Sequence, residues 1–173
     1  MKKLLFTLLM ALISTLGSAK DINTLFQEYR QQKGVEYTCI TKDMLKTMLE
    51  SQLTAGINDS LKRAEVMDEF MKNPKMNVLT AIDSIQVLDF EECKDQQLKD
   101  RFMKDAQHLE RYGYEVFAQQ REKGELIDVY IRANNDVITE FLVFNQDEDG
   151  IQLVLISGRL TTSQANEILK NNN

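Results

Sequence analysis

The chain has 173 residues, 43% hydrophobic and 28% charged, with 7 Gly, 1 Pro and a formal net charge of −6. This composition excludes a collagen-like repeat, a disordered low-complexity chain and a small disulfide-stapled scaffold, and the length suits one domain with a real core. The acidic balance, with no basic stripe to offset it, disfavours nucleic acid and anionic lipid surfaces as partners.

Met1-Lys2-Lys3 is a short basic start. Leu4 to Leu16 is almost wholly apolar, and Gly17-Ser18-Ala19 supplies the small residues that a signal peptidase reads. The apolar run is about 13 residues, short of the ~20 needed to span a bilayer. The expectation is a cleaved signal peptide over 1–19 and a single α+β domain over 20–173, placed in the periplasm or secreted, with no transmembrane segment. No Cys beside Ala19 is available to carry a lipid.

Ile22, Leu25, Phe26 and Tyr29 recur at helical spacing, with Gly34 beyond them as a stop. Val35–Thr41 alternates and is rich in β-branched and aromatic residues, so it reads as a strand. A helix follows from about Lys42 to Ala55, capped by Thr41, with Met44, Leu45, Met48 and Leu49 facing inward. Another runs from about Ile57 to Asn73, capped by Asp59, with Leu61, Ala64, Met67 and Met71 on its apolar side and Pro74 as its end. Ile82–Leu88 is strand-like, and a long helix from about Glu92 to Tyr112 carries a Leu98–Phe102–Ala106–Leu109 stripe and closes at Gly113.

Tyr114–Arg121, Leu126–Arg132, Val137–Asn145 and Ile151–Ser157 are strand candidates separated by short polar breaks, which predicts antiparallel hairpins. Thr161 and Gln164 have capping-box spacing ahead of a closing helix to about Leu169. The strand–helix–strand order of the first half predicts a parallel pair with a right-handed crossover. The sum is an α+β fold: a mainly antiparallel sheet of about six strands with helices packed on one face, a two-layer sandwich.

Four segments carry a family likeness: Leu25–Leu45, Ile82–Leu88, Gly113–Arg132 and Ile138–Thr161. With the signal peptide in front, the chain resembles the exported bacterial domain-of-unknown-function family numbered 4252. The resemblance implies an exported α+β domain with no established activity, and it assigns no functional residues.

The side chains themselves offer little chemistry. His108, the lone histidine, lies off the apolar stripe and reads as a surface residue; one histidine excludes a multi-histidine zinc site within one chain. Cys39 and Cys93 are open to a disulfide or to separate buried thiols, with a nucleophilic cysteine disfavoured because the lone histidine is misplaced. If their strands are parallel neighbours, a bond would close a loop of about 55 residues, worth roughly 4 kcal/mol in the chain-entropy model. Asn145, Asp147, Asp149 and Gly150 imitate the opening of a calcium loop, but its twelfth position is Ile156 and the flanks are strands. An acidic hairpin turn, with Gly150 supplying a positive φ, is the simpler reading. The Met44/Met48 and Met67/Met71 pairs have a spacing that suits Cu(I) but suits core packing better. The sequence contains no Gly-x-Ser-x-Gly elbow, Walker loop or dinucleotide fingerprint, and no cofactor or metal is expected.

Val137–Asn145 and Ile151–Ser157 are apolar on both faces, and strands of that kind are usually covered on both. The predicted role is a non-enzymatic binding or protein-interaction module whose second sheet face, with Tyr130, Val137, Phe141 and Val143, meets a protein partner or a second copy. Coverage by one of the chain's own helices is an equal alternative. A hydrolase or redox enzyme with an unrecognised site, and a carrier of an apolar ligand, are the competing functions.

Overall fold

Six strands form one open sheet, and every neighbouring pair is antiparallel. They are β1 (Glu36–Thr41), β2 (Ile82–Asp89), β3 (Glu115–Glu122), β4 (Glu125–Asn134), β5 (Val137–Gln146) and β6 (Ile151–Thr161), in the order β1-β2-β6-β5-β4-β3. The computed structural model describes residues 21–72, 77–122 and 124–164. The predicted signal peptide, Pro74 and the closing helix beyond Gln164 lie outside the described residues.

The last four strands follow from local sequence. Each is a run rich in β-branched, aliphatic or aromatic residues, bounded by a break too short for anything but a hairpin. At the β5–β6 turn, Asp147 Oδ1 accepts from the N–H groups of Asp149 and Gly150, both at 2.9 Å. Gly150 does not take the positive φ expected of it. A Cβ there would lie 2.9 Å from Glu91 Cα, so the position needs glycine for space rather than for backbone sign.

The parallel pairing expected for the first two strands is wrong. β1 and β2 are antiparallel, with Thr41 opposite Ser84 and Glu36 opposite Asp89. The connection holds two long helices, α2 (Lys42–Leu53) and α3 (Ser60–Lys72), before the short α4 (Asn77–Thr80). Two helical passes bring the chain back to the end it left, so β2 starts where β1 stopped; a single crossover helix would have delivered it to the opposite end.

One face of the sheet is covered by α1 (Ile22–Tyr29) and α5 (Gln96–Ala106). Asp21 caps α1 through Asn23 N–H at 3.2 Å, and Asp95 caps α5 through Leu98 N–H at 3.0 Å. Their apolar stripes, Ile22, Leu25, Phe26 and Tyr29 on one and Leu98, Phe102 and Ala106 on the other, are all buried. They meet Leu88, Tyr130, Leu142, Phe144, Leu153 and Leu155 from the sheet. Phe102 is the hub: it stacks on Phe90 with centroids 4.3 Å apart and meets Tyr29 edge-on at 4.9 Å. The long helix expected to reach Tyr112 stops at Ala106 and resumes as a 3₁₀ turn over Leu109–Tyr112. Gly113 closes that turn in the left-handed conformation, φ 81°.

α2 and α3 behave differently, since neither buries a single residue. The inward orientation expected of Met44, Met48, Leu61 and Met71 is not found: Met44 is 49% exposed, Met48 51%, Leu61 74% and Met71 49%. An amphipathic stripe specifies which side of a helix is apolar, but not whether anything packs against it.

Candidate functional site

Strand alternation brings three rows of side chains to the sheet face opposite α1 and α5. Ile40, Ile85, Ile156, Phe141 and Ile131 are cross-strand partners in one row. Thr38, Val87, Val154, Val143, Val129 and Ala118 form the next. The third is polar at most positions: Glu36, Asp89, Gln152, Asn145, Ile127 and Gln120. The face is therefore an aliphatic field spanning the sheet, bordered by a polar strip.

What packs on this field separates it from the other face. Its buried cluster is Val78, Val129, Ile138, Phe141 and Leu160, joined by half-buried Ala81, Phe117, Ala118, Ile127, Ile131, Val143 and Ile156. Val78 of α4 and its neighbour Ala81 are the members outside the strands; the rest is the sheet itself. Phe117 lies edge-on to Phe141, with centroids 6.3 Å apart, and comes from a bulge in β3. Ile40, Ile85, Val87, Val154 and Ile156 remain half-buried. On β2, β5 and β6 the helix-covered face leaves less exposed: Leu88, Leu142, Leu153 and Leu155 are almost completely buried.

Of the four residues expected on an interaction face, the structure brings Phe141 and Val143 together on this field and separates the other two. Tyr130 is buried in the cluster beneath α1 and α5. Val137 is exposed near the end of β5, and the β-bulge between Ile138 and Glu140 turns Ile138, not Val137, to the side of Phe141. Ile85 and Val87 of β2 and Ile40 of β1 were missed as members. Their signal was the same alternation, one strand further across, but only the true strand order makes them neighbours of Ile156 and Val154.

The two cysteines are free thiols, Cys39 exposed and Cys93 buried. Cys39 pairs with Gln86 within β1–β2, whereas Cys93 follows β2 and lies against Gly34, ahead of β1. The chain from Gly34 to Cys39 runs along an extended strand at ~3.4 Å per residue, too far for the ~7 Å Cα limit of a disulfide. Tyr37 donates to Gln86 Oε1 at 2.9 Å, and burial raises its pKa above the ordinary tyrosine value, with Cys39 beside it adding to the effect.

Buried Asp128 and half-buried Glu140 are committed to structural contacts. Asp128 accepts from both Nη atoms of Arg121, at 2.6 and 3.1 Å, and from Gln119 at 3.0 Å. Glu140 accepts from the Tyr114 hydroxyl at 2.6 Å and pairs with Arg132 at 3.0 Å. The Arg132 guanidinium also lies over the Tyr114 ring, 4.5 Å from its centroid, and donates to the Tyr112 carbonyl. Burial first, and then the Glu140 carboxylate, push the Tyr114 pKa far above its usual value. His108 is exposed at the head of the 3₁₀ turn. Asp147, Asp149 and Asn145 line a small cleft with Asp89 and Glu91. Among the described residues, no group of three or more His, Cys, Asp and Glu side chains converges on a metal position. No helix among them is long and apolar enough to cross a membrane.

Comparison with known proteins bears on the family alone. No curated protein and no solved structure matches the chain. The family model described as "Domain of unknown function (DUF4252)" matches residues 29–168, from the end of α1 to beyond β6. The chain thus belongs to the DUF4252 family.

Proposed function

We propose that this protein is exported to the periplasm or beyond through its N-terminal signal peptide and acts there as a non-enzymatic interaction module. Its aliphatic sheet face docks against a second copy of the chain. The observation that carries this reading is the contrast between the two faces: α1 and α5 bury one, while Ile40, Ile85, Val87, Val143, Val154 and Ile156 on the other stay half-buried. Rows of β-branched residues on a sheet form a low-relief surface that another such face can match, and two sheets stacked in this way lie about 10 Å apart. A two-fold arrangement needs one self-complementary patch, which the rows supply, and the polar strip from Glu36 to Gln120 would form its rim. The pairing of Asp128 with Arg121 and of Glu140 with Arg132 supports a structural rather than a catalytic use of these charged groups.

Size-exclusion chromatography with light scattering on the purified protein tests the association, with Val143→Lys as the disrupting variant. The expected outcome is a dimer that Val143→Lys dissociates without loss of circular dichroism. A strict monomer across the accessible concentration range, with no binding of an apolar dye, overturns it. Fractionation of the host with intact-mass analysis tests export; a cytoplasmic chain that retains residues 1–19 overturns that part.

A further inference from the structure

Beside the β1–β2 edge of the sheet, α2, α3 and α4 line a cavity of about 440 Å³, within the ~300–1,000 Å³ range of small-molecule sites. Leu45 and Leu49 of α2, Met67, Phe70 and Met71 of α3, and Leu79 of α4 make its walls. Lys42 and Lys46, one helical turn apart on α2, stand at its rim with Asp68. The charges there do not cancel. Asp68 is already paired with Lys72, and Lys42 reaches Asp83 at 3.1 Å with both side chains more than half exposed. Lys46 makes no ion pair among the described residues. In an acidic protein this is a local cationic edge on an apolar hollow.

We propose that this cavity binds a single-chain anionic amphiphile, a fatty acid, with its acyl chain between α2 and α3 and its carboxylate beside Lys42 and Lys46. Three features favour a flexible chain over a rigid ligand or a partner helix. The hollow draws its walls from three helices rather than running as a groove along one. Two of its wall residues are unbranched methionines, which adapt to an irregular guest. Neither α2 nor α3 buries a residue without a guest, so the pair can part and close around a chain at low cost. The acyl chain would complete the burial of Leu45, Leu49 and Met71, which the protein alone leaves unfinished.

Photolabelling of the purified full-length product by a diazirine-bearing dodecanoate, with adducts mapped by peptide mass spectrometry, tests this. Saturable labelling confined to the Leu45–Leu49 and Met67–Met71 segments is expected. Dodecanoate should compete about tenfold better than dodecyltrimethylammonium, since exposed lysines attract one head group and repel the other only weakly. The K42E/K46E double variant should lose that preference, and Leu49→Gln should weaken labelling while helical dichroism is retained. Labelling on the Phe141–Val143 strand, labelling that does not saturate, or equal competition by both detergents overturns the proposal. So does displacement by an amphipathic helical peptide but not by dodecanoate. The map on the unsubstituted protein decides the location even if a variant misfolds.

Discussion

Gly158 is the position where one added methyl group tests the sheet most directly. It stands in β6 opposite Ile82, where the corner from α4 enters β2. A Cβ at this point would lie 2.3 Å from the Ala81 carbonyl oxygen, 3.1 Å from its carbonyl carbon and 3.1 Å from Ile82 Cα. The first contact is more than 1 Å inside the ~3.5 Å optimum for non-bonded heavy atoms, and backbone cannot swing aside as a side chain can. The same carbonyl accepts the Arg159 N–H at 2.9 Å, so moving it away also weakens that bond. Overpacking costs about 1–3 kcal/mol and the lost hydrogen bond about 1, so Gly158→Ala should destabilise by roughly 2–4 kcal/mol. At about 2–4 °C per kcal/mol for a chain of this size, Tm should fall by roughly 4–16 °C. Thermal unfolding followed by circular dichroism is the assay, and Gly56→Ala is the comparison. Gly56 has φ +80° but no atom within 4 Å of a Cβ, so its cost is conformational alone, about 1–2 kcal/mol. A Gly158→Ala protein that melts with the parent, or above Gly56→Ala, refutes the close approach of β6 to the α4–β2 corner. The register that sets Ile85 beside Ile156 would fall with it.

Phe102→Ala removes the ring that links Phe90, Tyr29 and Phe144, and should cost about 3–5 kcal/mol, read as a lower denaturant midpoint with an unchanged slope. Alkaline titration should also expose the buried tyrosines. Burial, with the carboxylates of Asp105 and Glu140, raises the pKa of Tyr29 and Tyr114 in the folded protein. Their contribution is therefore whole below the unfolded value of about 10 and is lost as pH rises above it, by up to ~1.4 kcal/mol per pH unit for each. Denaturant melts at a series of alkaline pH values measure this slope, and a flat profile above pH ~10 contradicts it. Glu140→Gln keeps an acceptor for Tyr114 but leaves Arg132 without its carboxylate. It should cost about 1–3 kcal/mol and move the near-ultraviolet tyrosinate titration of Tyr114 to lower pH.

Where local pattern suffices, the chain is easy to read. β3 to β6 and their hairpins fall where alternation and short polar breaks place them. The Thr161–Gln164 capping box is present, with Gln164 Oε1 accepting from Thr161 N–H at 2.8 Å. Phe141 and Val143 do lie on the less covered face. The failures share a cause, which is dependence on something distant. The bulge before Glu140 resets the alternation, so Val137 and Ile138 exchange sides. Tyr130 is on the helix-covered face because its neighbours on β5 are Leu142 and Phe144 rather than Phe141 and Val143.

Residue order by itself determined the kind of every element but the short α4 and the 3₁₀ turn over Leu109–Tyr112, because helix and strand periods and turn residues act over a few positions. It also determined the apolar character of both faces of β5 and β6. Tertiary structure alone decided that β2 returns antiparallel to β1, that α1 and α5 crowd one face, and that α2 and α3 line a hollow with α4 instead of burying their stripes. Those outcomes depend on which surfaces meet, and a stripe of leucines and methionines can pack against a sheet, another helix or a bound chain alike.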